Sequence, residues 1–200
     1  MPPTLEGIFM RIAALAFAAA GLFAALPAAA EPYKLDKSHA TVIFTVGHLG
    51  FSTVHGFFRA FDADINFDPD SMETSSVNFT IDAASVDTLW EARDKHVKSK
   101  DFLNIEAYPT ITFVSKKIVL TSAETATVTG DLTIIGQTHE ETFDVVMNKF
   151  GPSPFNPALQ IAGFKINGVI DRTKYGMGYG APAIGGSIGL RVDLEMSPAS

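Results

Sequence analysis

Phe61-Asp62-Ala63-Asp64-Ile65-Asn66-Phe67-Asp68 decides the fold. Apolar and acidic or amide side chains alternate along it without a slip. Successive side chains of a strand point to opposite faces, so this stretch has one buried face and one wet face. A helix would need apolar residues three and four apart instead. The same period of two recurs on both sides. Val42, Phe44 and Val46 alternate with Thr41, Thr45 and Gly47, and Val77, Phe79, Ile81 and Ala83 with Ser76, Asn78, Thr80 and Asp82. It continues through Ile111 and Phe113, then Val128, Leu132 and Ile134, then Phe143, Val145 and Met147. Phe164, Ile166 and Ile170 follow. Ile188, Leu190, Val192, Leu194 and Met196 close the series against Ser187, Arg191, Asp193 and Glu195. One wet and one dry face is the mark of antiparallel sheet.

Turn chemistry separates these runs at Asp68-Pro69-Asp70-Ser71, Ile135-Gly136-Gln137 and Gly151-Pro152-Ser153-Pro154. About eight strands with short connections predict an all-β fold, a closed antiparallel barrel or a sandwich. A barrel of about eight strands is just wide enough to hold one small ligand. One segment departs from the pattern. Thr88-Leu89-Trp90-Glu91 has the shape of a capping box, and Leu89, Ala92, His96 and Val97 follow at helical spacing. This predicts a short helix from about Thr88 to Lys98, lying across one barrel mouth. The glycine-rich Gly176-Met177-Gly178-Tyr179-Gly180 and the proline-rich 151–157 segment read as loops.

The N-terminal stretch reads differently. Arg11 precedes an uncharged run from Ile12 to Leu26, followed by Pro27-Ala28-Ala29-Ala30-Glu31. A basic start, an apolar core and a small-residue cleavage site are the layout of a secretory signal peptide. Residues 1–30 are therefore expected to be removed, leaving 31–200 as one mature domain without a stable membrane anchor. Glu6 fits a basic leader poorly, so Met10 is a candidate start.

The mature chain keeps a net charge of -7, because residues 1–30 contain one Glu and one Arg. Its densest basic run is Lys95 to Lys100. Nucleic acid, which is bound by displacing counterions from phosphates, is not an expected partner. Anionic membrane surfaces are disfavoured on the same ground. There are no cysteines. Disulfides and thiol chemistry are excluded, and stability must come from core burial or sheet closure.

Motifs that could carry chemistry fail on inspection. Gly185-Gly186-Ser187-Ile188-Gly189 matches a nucleophile elbow, but no His follows Ser187 and no helix is expected after it. Asp62, Asp64, Asn66, Asp68, Asp70 and Glu73 have the ligand spacing of a calcium loop. The central glycine is absent there, and Phe67 stands in its place. These acids read as the wet face of a strand. None of His39, His48, His55, His96 and His139 has zinc spacing. His48 shares parity with Phe44 and Val46, so it points inward near a strand end, either as a rim residue or as a partner for a ligand's polar head. Arg93-Asp94-Lys95-His96 reads as surface pairing. No catalytic residue, metal ligand or cofactor is assigned.

The remaining signal is the 16 phenylalanines. Phe gives a large apolar wall with no polar atom to satisfy. A packed core and a ligand-holding lumen are both compatible with that composition.

Several stretches in register bear on this. They are Tyr33-Lys34-Leu35-Asp36-Lys37-Ser38-His39, Phe44-Thr45-Val46-Gly47-His48-Leu49-Gly50 and Val54-His55-Gly56-Phe57-Phe58. Ile81 to Thr88 runs on to Arg93-Asp94-Lys95-His96-Val97-Lys98-Ser99-Lys100-Asp101-Phe102. Then come Tyr108 to Ser115, Gly130 to Thr138, and Arg172 with Tyr175-Gly176-Met177. Together they resemble the YceI family of lipid-binding proteins over essentially the whole mature chain. The resemblance implies a lipocalin-like barrel, usually periplasmic, that holds a polyisoprenoid, an isoprenoid quinone or a similar long lipid. It brings no catalytic residues. The family often has Ser or Thr after the first His, where this chain has Ala40, which could alter the head-group preference. The expected ligand wall is Val42, Phe44, Val46, Phe61, Phe79, Ile81, Phe113, Leu132, Ile134, Phe143, Phe164 and Leu190, with His48, Trp90 and Met177 near a mouth. Two other readings stand beside it: a secreted metal-dependent enzyme using rim histidines, and a stress-response module with a packed core. A homodimer through a barrel rim or Ile43 is compatible with the pattern.

Overall fold

A computed structural model describes residues 30–199. The expected signal peptide and its two candidate starts lie outside the described residues, except for Ala30. The strands are β1 (Glu31–His48), β2 (Ser52–Phe58), β3 (Phe61–Phe67), β4 (Ser76–Asp82) and β5 (Val86–Asp87). Helix α1 (Glu91–Lys98) follows, then β6 (Thr110–Leu120), β7 (Thr125–Ile134), β8 (Gln137–Pro152), β9 (Gln160–Asp171) and β10 (Ile184–Pro198).

These ten segments occupy eight positions around a closed antiparallel barrel. β2 and β3 lie end to end along one edge of β1, with Val42 paired to Phe58 and Tyr33 to Ile65. β4 and β5 lie end to end against them in turn, with Phe61 opposite Ile81 and Phe58 opposite Val86. Both composite strands break at the same level. There Asp82 N donates to Ala60 O and Arg59 N donates to Ser85 O, which carries the ladder across the gap. The order then runs β4, β6, β7, β8, β9, β10, and β10 returns to β1 through pairs such as Val42–Val192 and Phe44–Leu190. Closure joins the sheet's two ends through β10 and β1, which limits the strand edge that a cysteine-free all-β chain exposes to association.

Two apolar clusters occupy the interior. The larger lies towards α1 and includes Val42, Phe58, Val86, Leu103, Ile134, Tyr175 and Met177. The smaller, of Tyr33, Ile65, Phe67, Ala162 and Met196, sits at the opposite end, where Phe67 meets Tyr33 and Phe164 edge-on at 5.2 and 5.6 Å.

The helix starts later than its capping pattern implies. Trp90 occupies the cap position and makes no side-chain cap bond. Thr88 lies outside the helix because Leu89 adopts a left-handed conformation (φ 65°) that interrupts the turn. The Thr88 hydroxyl donates instead to Asp94 Oδ1 at 2.5 Å.

Candidate functional site

A cavity of about 720 Å³ runs inside the barrel between α1 and the far-end cluster. That volume is within the usual range for small-molecule sites. Val42, Phe44, Val46, His48, Phe79, Ile81, Trp90, Phe113, Leu132, Ile134, Phe143, Phe164, Met177 and Leu190 all line it. Phe61 is not among the lining residues; its ring stacks at 5.7 Å on that of Phe79, which is. The inward parity of every alternating run thus converges on one space.

Several of the inward apolar side chains are not fully buried. Phe44, Phe79, Ile81, Phe113, Leu190 and Val192 pack against the main core, yet each remains only partly covered. A packed core would bury them. They are left uncovered because the surface they present faces an unfilled lumen.

Strand glycines explain how many rings leave room. Phe44 lies over Gly56, its cross-strand partner, so closely that a Cβ on Gly56 would sit 2.2 Å from the ring's Cζ. Phe143 covers Gly168 in the same way, with 2.3 Å to Cδ1, and Phe113 leans over Gly130. Each ring fills a gap in the wall instead of the centre of the barrel, a pairing known to support curved sheets.

Polar groups gather at the α1 end. Arg93 Nε donates to the Thr88 hydroxyl at 2.8 Å and its terminal nitrogen to the Thr88 carbonyl at 2.6 Å. Asp94 accepts from the Thr88 amide at 2.7 Å. Arg93 and Asp94 are therefore partly buried anchors for the 88–90 turn, not the surface pair their spacing suggested. His96 bonds to Asp101 at 2.8 Å and meets Tyr179 and Phe102 edge-on at 4.9 and 5.1 Å.

Arg172 is the residue that sequence reasoning left without a role. It is 2% exposed and lines the cavity. Its guanidinium donates to the carbonyls of Gly185, Tyr179 and Ile184 at 2.9, 3.0 and 2.8 Å, and to that of Met177. One cation thereby gathers the 177–185 loop over the barrel end. Burial pushes its pKa down. Neighbouring Tyr175 is fully buried and donates to Glu141 at 3.1 Å; burial first, then the Glu141 charge, drives its pKa up. An arginine directly before a glycine-rich loop was the available signal.

The chemical motifs resolve as follows. Ser187 is exposed within β10, opposite Asp171. Asp62, Asp64 and Asn66 are on the outer face of β3, with Asp62 paired to Lys37 at 2.6 Å. Asp68 is buried and accepts from the Asp70 and Ser71 amides, so it shapes a turn. Among the described residues, Asp36, His39 and Glu195 form the one group of three side chains close enough to share a metal ion, with ligand atoms within 4.8 Å. They sit on the outer wall, and Asp36 and His39 are exposed and bonded to each other at 2.8 Å. Ala40 follows His39 in the bulge of β1, where β10 supplies only Leu194 between the pairs Asp36–Glu195 and Thr41–Asp193. It is not at the cavity wall, so its missing hydroxyl does not bear on a ligand head there.

The sequence profile of the YceI-like domain matches residues 33–198. A UPF0312 protein of Staphylococcus epidermidis is 37% identical over 167 residues, which cover 82% of this chain and 94% of that one. Among solved structures, the Campylobacter jejuni YceI protein superposes with a TM-score of 0.71 at 30% identity, over 77% of this chain and 90% of that one. A polyisoprenoid binding domain from Saccharophagus degradans, implicated in plant cell wall breakdown, shares the fold with a TM-score of 0.61 at 13% identity, over 84% and 99% of the two chains.

Proposed function

We propose, from the premise that this chain belongs to the YceI-like family, that its barrel is a carrier for a long apolar ligand in the periplasm. The observation that carries the proposal is the 720 Å³ lumen that the side chains leave inside the barrel, walled by phenylalanines, leucines, isoleucines and valines. Each methylene moved from water into such a space stabilises the complex by about 0.8 kcal/mol. A chain of many methylenes or isoprene units therefore binds well with few polar contacts. The fold shared with a polyisoprenoid-binding domain supports a polyisoprenoid or isoprenoid quinone as the ligand class. The signal-peptide layout upstream of Glu31 supports the periplasm as the site of action.

The protein acts by enclosure and not by bond chemistry in this reading. No nucleophile, base and oxyanion-donor set converges on the lumen among the described residues, and the polar groups at the α1 end are engaged in holding the loops. The packed-core alternative conflicts with the lumen itself. For the test, protein purified from its native host is examined by native mass spectrometry, and its bound lipid is extracted and identified. A co-purifying long-chain lipid, or uptake of an isoprenoid quinone by the stripped protein, is the expected result. A homogeneous unliganded mass together with no uptake would refute the carrier role.

A further inference from the structure

The α1 end of the barrel carries a set of apolar side chains turned out to solvent. Phe51 is 90% exposed, Leu89 70%, Trp90 63% and Leu49 49%. They lie on two adjoining tips: the turn between β1 and β2, and the turn before α1. Both tips border the cavity opening, since His48, Ser52, Trp90 and Ala92 line the cavity and are themselves exposed.

The backbone at these tips makes the exposure more telling. Leu49 and Leu89 have φ of 54° and 65°. Leu49 and Gly50 (φ 74°) are both left-handed, as in the two-residue hairpin turn that favours Asn-Gly. Asn at position 49 would relieve backbone strain and remove apolar surface from water together. The chain instead places leucine in a conformation unfavourable by about 1–2 kcal/mol, with its side chain exposed. Neither folding nor solubility accounts for that choice.

The make-up of the rim points to the occupant. Over residues 87–101 four cations, Arg93, Lys95, Lys98 and Lys100, stand against four acids, Asp87, Glu91, Asp94 and Asp101, so the segment that carries Leu89 and Trp90 is neutral in a chain whose net charge is -7. Apolar and aromatic tips on a segment without net charge match the interfacial zone of a bilayer, with rings at the acyl boundary.

We propose that this end of the barrel docks on the surface of a phospholipid bilayer, with Leu49, Phe51, Leu89 and Trp90 inserted and the cavity mouth against the lipid. The inference rests on the carrier reading, since a mouth pressed to the bilayer lets a lipid pass into the lumen without crossing water. Insertion is shallow and mainly hydrophobic, so docking persists in neutral lipid and salt weakens it only modestly. The overall negative charge then opposes binding to strongly anionic surfaces without abolishing it.

Trp90 is the only tryptophan, so it reports directly on the mouth. Full-length mature protein is mixed with vesicles of phosphatidylcholine, and of phosphatidylcholine with phosphatidylglycerol. Docking is read by co-flotation, by a blue shift of Trp90 emission and by its quenching with brominated lipid. The expected result is co-flotation with quenching by shallow bromines. The Leu49→Asn and Phe51→Ser variants should bind vesicles at least about tenfold more weakly, since each removes most of one buried side chain's contribution. Neither residue lines the cavity, so both variants should still take up an isoprenoid quinone from detergent. Phe155→Ser, at the opposite end, should leave vesicle binding unchanged. Unaltered Trp90 emission with no co-flotation would overturn the docking proposal, as would equal loss in the Phe155 variant, or capture of the rim by a protein partner in place of vesicles. Quinone uptake without vesicle binding refutes docking alone. Vesicle binding without uptake of any lipid refutes the carrier reading alone.

Discussion

The ring of Phe44 lies against Gly56 across the β1–β2 ladder, where a single added methyl would stand 2.2 Å from Cζ. The bare glycine is what lets the phenyl ring become part of the wall. The Gly56→Ala substitution should therefore turn the ring into the lumen, shrinking the cavity and weakening lipid uptake. It should also destabilise the barrel by about 1–3 kcal/mol, as overpacking does. Chemical denaturation and native mass spectrometry check the two effects.

Leu190 pairs with Phe44 across the β1–β10 seam and faces the cavity. In a packed interior, Leu190→Phe would cost about 1–3 kcal/mol. Against an empty lumen it should be close to neutral in stability while blocking lipid uptake. A large loss of stability with uptake intact would contradict the open-lumen reading.

Arg172 holds four backbone carbonyls between Met177 and Gly185. Arg172→Met removes all four donors, and a buried acceptor left unsatisfied costs about 1–3 kcal/mol. The expected outcome is a loss of several kcal/mol, or failure to fold. Arg172→Lys keeps the charge but cannot reach four carbonyls at once. Hydrogen exchange in that variant should speed up over residues 176–185 and stay unchanged in the β6–β7 hairpin.

The Asp36–His39 pair on the outer wall sets a pH dependence. The Ser38 hydroxyl, then His39 and the Ser38 amide, hold the Asp36 carboxyl down at about 2. The hydrogen bond to Asp36 raises His39, with the Asp36 and Glu195 charges adding to it. A lowered acid contributes stability that is present above the unfolded value of 3.8 and lost as pH falls towards 2. A raised histidine contributes below 6.5, and that contribution is lost as pH rises through the folded value. In an NMR titration, His39→Ala should move Asp36 upward towards its ordinary range, and Asp36→Asn should bring His39 down.

Much of the barrel was legible in the alternation. Phe61 to Asp68, Val77 to Ala83 and Ile188 to Met196 each name their buried face, because strand geometry leaves a side chain only two directions. The helix boundary was less legible. Thr88 and Glu91 have capping-box spacing, but Asp94 competes for the Thr88 hydroxyl and wins it through a fold-dependent contact. Phe61 shares the parity of the wall residues, and only the packed structure shows that its ring stacks on Phe79 without itself lining the lumen.

The sequence by itself determined the antiparallel all-β class, the inward set of residues and the absence of thiol chemistry, because these follow from periodicity and composition. Tertiary structure decided that the sheet closes through β10 and β1 and that the interior is hollow. Whether a ring fills the lumen or lies along the wall depends on what faces it across the ladder. Gly56, Gly130 and Gly168 meet their phenylalanines only once the strands are in register. The role of Arg172 and the gathering of Leu49, Phe51, Leu89 and Trp90 at one mouth have the same origin. Their contacts join residues distant in sequence, and local pattern does not encode which of them closure brings together.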